Sequence, residues 1–99
     1  MFVVTLSYTA PMEQVDALLL EHRAWLDEQY RKGVMLASGV KVPRTGGVLL
    51  VGGLDRAGVD QLLAEDPFAK GGVAAYDVVE FTATKTADCL AAYREPQAS

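Results

Sequence analysis

Residues 2–8, Phe-Val-Val-Thr-Leu-Ser-Tyr, are β-branched or aromatic almost throughout. Phe2, Val4, Leu6 and Tyr8 alternate along the segment, which predicts a strand with one buried face. Thr9-Ala10-Pro11 interrupts it, with Thr9 as a candidate N-cap and Pro11 in the first turn of a helix. From Met12 to Lys32 the apolar positions Met12, Val15, Leu19, Leu26 and Tyr30 fall on one helical face, widened by Leu18 and Trp25. The pattern predicts one continuous helix, about 31 Å long at 1.5 Å per residue, ended by Gly33. Residues 34–42 and 46–53 read as two strands joined by the turn residues Pro43-Arg44-Thr45-Gly46-Gly47. Asp55 is placed to cap a second helix over 56–65, with Leu62 and Leu63 on its apolar side. After an Asp66-Pro67-Phe68 turn, Gly71 and Gly72 lead into a fourth strand over 73–84. Residues 86–93 suit a last short helix or docking segment, and 94–99 a frayed tail.

The order is β-α-β-β-α-β, which predicts an α+β, ferredoxin-like fold with a four-stranded antiparallel sheet. Right-handed crossovers put the first and third strands in its centre. The third strand is apolar on both faces, with Val48 and Leu50 on one and Leu49 and Val51 on the other. Two helices cover only one face of such a sheet. The second face is expected to pack against a second copy of the chain as a homodimer, the alternative being a monomer with a partly apolar open face.

Composition narrows the function classes. The 99 residues make one domain with a net charge of −4, and Lys41, Arg44, Lys70, Lys85 and Arg94 are scattered without a basic run, so no nucleic-acid partner is expected. No apolar run approaches ~18 residues and no basic segment precedes the first strand, so no membrane partner is expected and a cytoplasmic location is. The single cysteine, Cys89, excludes an internal disulfide, suits a reducing compartment and reads as a small apolar packing residue. One histidine and one cysteine give no metal constellation. No serine lies in a G-x-S-x-G context, and the glycines match neither the dinucleotide nor the P-loop spacing, so no cofactor is expected.

Two residues stand out against this background. Asp66, with Glu65, lies at the end of the second helix, where the helix dipole disfavours an acid by about 0.3–1 kcal/mol. Pro67 holds Asp66 out of helical geometry. His22 falls in the middle of the apolar stripe, where an imidazole needs a partner or bears a burial cost of ~1–3 kcal/mol. Arg23 points off the stripe toward solvent. In a ferredoxin-like unit both helices lie on one face of the sheet, so Asp66 can reach a ring nitrogen of His22. That contact would fix the tautomer and favour the imidazolium, leaving the other nitrogen to face a pocket, as in general acid–base chemistry. A structural bond tying the loop to the helix uses the same contact. Ser38 and Gly39 leave room beside a pocket or are ordinary packing. Tyr76 and Tyr93 take no role.

The segments Glu-His-Arg-Ala-Trp-Leu (21–26), Lys-Gly-Val-Met-Leu-Ala-Ser-Gly-Val (32–40), Gly-Gly-Val-Leu-Leu-Val (46–51) and Glu-Asp-Pro-Phe-Ala-Lys-Gly-Gly-Val (65–73) resemble the YciI-like (YCII-related) family over residues 1–82. The resemblance implies a dimeric ferredoxin-like α/β barrel over 1–84, with 85–99 as a C-terminal extension. It implies acid–base roles for His22 and Asp66, and pocket-lining positions for Ser38, Gly39, Pro67 and Phe68. Dehydrochlorinase-type members and the structurally similar muconolactone isomerases suggest proton transfer on small cyclic or aromatic acids, without fixing a reaction. The expectation is a small cofactor-independent lyase or isomerase acting on a small-molecule ligand. The alternative is a non-catalytic ligand-binding or interaction module in which the pair is structural. A monooxygenase on the same barrel gains nothing from these residues beyond fold analogy.

Overall fold

The computed structural model describes residues 1–95; the residues 96–99 of the expected frayed tail lie outside them. Strands β1 (Phe2–Tyr8), β2 (Met35–Val40), β3 (Gly46–Val51) and β4 (Ala74–Glu80) form one antiparallel sheet in the order β2-β3-β1-β4. The two strands richest in large apolar side chains are thus the central ones. Phe2 pairs with Val51 on one side and Glu80 on the other, a register that puts Phe2, Val4 and Leu6 on the same face as Leu49 and Val51. All five are buried. Gly46 is required by the close approach of β1, because a Cβ there would lie 1.8 Å from the Leu6 carbonyl oxygen.

The helices α1 (Met12–Ala17), α2 (Leu19–Arg31), α3 (Arg56–Ala64) and α4 (Pro67–Lys70) add Val15, Trp25, Val59, Leu62, Leu63 and Phe68 to the core. The single long helix predicted from periodicity is broken at Leu18, whose amide bonds the Val15 carbonyl at 3.0 Å. No proline or glycine marks the break. It coincides with the Leu18 side chain lying against Gly71, where a Cβ would come within 2.3 Å of Leu18 Cδ1. The buried stripe of the helix pair is Val15, His22, Trp25 and Gln29, so Met12 and Tyr30, expected inside, lie at its edges and are exposed. Thr9 does not cap α1. Pro11 occupies the N-cap position without a side-chain bond, and the Thr9 hydroxyl donates to the Gly72 carbonyl oxygen instead.

Gly33, at φ 78°, ends α2 as expected. Asp55 caps α3 by accepting from the Gly58 amide at 2.8 Å, worth about 1 kcal/mol. Residues 81–95 run back across the end of the sheet. Phe81 exchanges backbone bonds with Met1 at 2.9 Å, Ala83 is buried, and the Tyr93 hydroxyl donates to the Gly33 carbonyl oxygen at 2.9 Å. The expected last helix is a 3-10 turn, Asp88–Tyr93, and Cys89 on it is exposed rather than packed. The opposite sheet face carries Val3, Val48, Leu50 and Val79, of which Val48 and Val79 are exposed. Among the described residues no helix is long and apolar enough to cross a membrane.

Candidate functional site

Asp66 sits between two helices. Its extended backbone (φ −60°, ψ 126°) ends α3 and makes it the N-cap of α4, with Pro67 in the first turn. The acid disfavoured by the helix behind it is favoured by the one ahead, where the positive end of the dipole and a free amide await it. The expected Asp-Pro-Phe turn is therefore a short helix, and it fixes where the carboxylate points.

That carboxylate is fully buried and collects three donors. Oδ1 accepts from the Phe68 amide at 3.0 Å and lies 2.7 Å from His22 Nδ1, while Oδ2 accepts from the Tyr76 hydroxyl at 2.6 Å. An ionised carboxylate is an acceptor only, so Nδ1 is the donor of the His22 contact, and in a neutral imidazole Nε2 carries the lone pair. The imidazole is 8% exposed and lies flat on Phe68, with centroids 3.9 Å apart and planes 4° from parallel; Trp25 stands 5.7 Å away. Hydrogen bond and stacking together hold the ring in one orientation. Tyr76 faces the helices from β4. Burial, with the hydrogen bond and negative charge of Asp66, pushes its phenol well above the ordinary value of 10, so it remains a donor throughout the working pH range.

In front of His22 lies a cavity of about 120 Å³, walled by Leu6, Leu19, Leu26, Leu49, Tyr8 and Phe68 and completed by Ser38, Gly39, Val40, Gly47 and Arg23. The volume is somewhat below that of an apolar cavity of about 150 Å³ that encloses benzene, so it matches the scale of one small ring whose edge extends into the open mouth. Ser38 exchanges a 2.7 Å hydrogen bond with the Tyr30 hydroxyl at the open side. Arg44, from the β2–β3 turn, stands 5.9 Å over the Tyr8 ring and binds Asp16 at 2.7 Å. The bond to Asp16, followed by that to Tyr8, raises its pKa further. Among the described residues no group of three His, Cys, Asp or Glu side chains is placed to hold a metal ion.

Of the six residues singled out in the sequence, the structure brings His22, Ser38, Gly39 and Phe68 to the cavity wall. Asp66 stands behind His22, and Pro67 lies at the start of α4 outside that wall. Tyr76 and Arg23 were missed. The sign of Tyr76 was a hydroxyl-bearing aromatic on the helix-facing side of an edge strand, where its tip needs a partner. Arg23 is exposed, as expected, yet it lines the cavity mouth, because the buried helical face is centred on His22 itself.

The family model for the YCII-related domain matches residues 1–82. Among solved structures, 5-chloro-2-hydroxyhydroquinone dehydrochlorinase from Burkholderia phenoliruptrix AC1100, in complex with 2,5-dihydroxybenzoquinone, superposes with a TM-score of 0.65. The match has 20% sequence identity and covers 82% of this chain and 93% of that one. No curated protein matches the chain. The dehydrochlorinase supports the ferredoxin-like arrangement of the sheet and helices, and the domain match extends over nearly all of that unit: the chain belongs to the YCII-related domain family.

Proposed function

We propose that this protein is a small lyase- or isomerase-type enzyme that moves a proton with His22 on a small cyclic or aromatic substrate. The observation that carries this is the 2.7 Å contact between His22 Nδ1 and Asp66 Oδ1, which leaves Nε2 to the cavity. In the forward sense Nε2 takes a proton from a substrate carbon or hydroxyl, and Asp66 balances the imidazolium that forms. The same nitrogen returns the proton at a second position of the substrate or to a leaving group. Ser38 and Phe68 contact the substrate; Pro67 acts by holding Phe68 and Asp66 in place. The structural neighbour is a dehydrochlorinase bound to a six-membered quinone, which supports a cyclic substrate here, as does the cavity volume.

The working unit is a homodimer formed through the sheet face of Val3, Val48, Leu50 and Val79, and residues 85–99 are an extension to the domain proper. A cytoplasmic setting fits the lone cysteine. Screening small cyclic and aromatic acids and phenols by thermal shift identifies a ligand. Turnover of that compound is then compared between the wild type and His22→Ala. Loss of ~10²-fold or more is expected, and intact turnover refutes the proposal.

A structural role is the second reading, favoured by the full burial of Asp66 and its cap on α4. It predicts that Asp66→Asn lowers stability and leaves ligand affinity unchanged.

A further inference from the structure

The cavity is chemically one-sided. Among the described residues no acidic side chain lines it, its walls are mostly leucines and aromatic rings, and its only formal cation apart from any proton on His22 is Arg23. Of the basic residues flanking the β2–β3 turn, Arg44 is paired with Asp16 at 2.7 Å, and Lys41, hydrogen-bonded to the Ser7 hydroxyl at 3.3 Å, does not line the cavity. Arg23 makes no ion pair or side-chain hydrogen bond among the described residues, although Asp27 follows it by one helical turn. An arginine at the mouth of an apolar cavity, adjacent in sequence to the histidine, has its fork of donors free for something that enters.

The charge of the whole chain sharpens the point. At a net −4 the protein repels anions at long range. A binding site for a neutral ring would need no arginine at its rim, and one for a cation would be better served by the acids abundant elsewhere on the surface. We propose that Arg23 makes this an anion-selective site, taking a small planar ring with one oxyanion substituent, a carboxylate or an enolate. The ring lies among Leu19, Leu26 and Leu49, and the oxyanion pairs with the guanidinium, presenting the ring edge to His22 Nε2. Arg23 is then a specificity residue, which also orients the substrate for the histidine. The inference rests on His22 being the reacting group, and its test separates the two claims.

Benzoate and its neutral isostere benzamide are the probes. Each is titrated into wild type and Arg23→Gln at low salt, following the ring signals of the single histidine by NMR. Wild type is expected to bind benzoate at least tenfold more tightly than benzamide, and to lose that preference as ionic strength rises. Arg23→Gln is expected to erase the preference by weakening benzoate while benzamide stays unchanged. Because Arg23 is exposed and unpartnered, the variant should keep the wild-type spectrum elsewhere, which serves as the folding control. Equal affinity for both probes in wild type, no binding of either, or a preference that survives Arg23→Gln overturns the proposal. A benzoate that moves the histidine signals without depending on Arg23 leaves the role of His22 standing. An Arg23-dependent benzoate that leaves those signals unmoved supports anion selectivity and removes the link to His22.

Discussion

Asp66→Asn separates the chemical from the mechanical work of the buried carboxylate. Asparagine has nearly the same shape, so its carbonyl oxygen can replace Oδ1 and keep accepting from the Phe68 amide and from His22 Nδ1. Its amide nitrogen then meets the Tyr76 hydroxyl, which must turn from donor to acceptor. Three charge-assisted hydrogen bonds become neutral ones. Charge-assisted bonds contribute about 1.5–3 kcal/mol each and neutral ones about 0.5–1.5, so at about 1–1.5 kcal/mol per bond the loss is roughly 3–4.5 kcal/mol. In a domain of this size each kcal/mol moves Tm by about 4–8 °C, giving an expected fall of about 12–36 °C. The fold survives, because total stability is typically ~5–15 kcal/mol. If the carboxylate supports proton transfer, turnover per folded molecule falls ~10²-fold or more, since the imidazolium loses its counter-charge. Thermal melting by circular dichroism, with turnover measured well below the variant's Tm, tests both. A Tm within about 2 °C of wild type refutes the hydrogen-bond accounting. A lowered Tm with unchanged turnover refutes the orienting role and leaves the pair structural.

Tyr76→Phe leaves Asp66 Oδ2 buried without its 2.6 Å donor and should cost about 1–3 kcal/mol at neutral pH. Tyr76 also has a folded pKa above its ordinary value, so the unfolded chain releases that proton first, and this contribution is full below about pH 10 and lost as pH rises further. Urea midpoints between pH 8 and 11 should therefore fall less steeply for Tyr76→Phe than for wild type; parallel curves contradict this. Gly46→Ala drives a methyl group into the Leu6 carbonyl and should destabilise by about 3 kcal/mol or more, read by denaturant unfolding; a neutral effect would mean that the central strands are not so closely apposed. Val48→Lys places a charge on the open sheet face and should convert a species of twice the chain mass to a monomer in sedimentation equilibrium. A wild type that is monomeric at high concentration removes the dimer.

The topology was legible because its signals are local and repeated: alternation in Phe2–Tyr8, apolar residues on both faces of β3, Asp55 ahead of α3, and Gly33 after α2. The break at Leu18 was not, since it falls within an unbroken apolar periodicity and coincides with a contact to Gly71, distant in sequence. The phase of the helical stripe was misjudged for a related reason. Met12 and Tyr30 counted as core are exposed, whereas Gln29, passed over as polar, is buried with His22 and Trp25. His22 and Asp66 could be joined because each violated a local rule, one by polarity and one by helix position. Tyr76 and Arg23 violate none, as a tyrosine on a strand and an arginine on a helix are ordinary, and only the three-dimensional neighbours give them partners or a place.

In the proposed mechanism His22, held by Asp66, presents Nε2 to a substrate in the cavity. A crystal structure with a turned-over or stabilising cyclic ligand tests it most directly. The account predicts a ring among Leu19, Leu26 and Leu49 with an exchangeable atom about 2.6–3.2 Å from Nε2 and the Nδ1–Asp66 bond intact. A ligand lodged instead in the groove of Gln29, Lys32 and Leu62, or an imidazole turned away from Asp66 when the ligand binds, would contradict it.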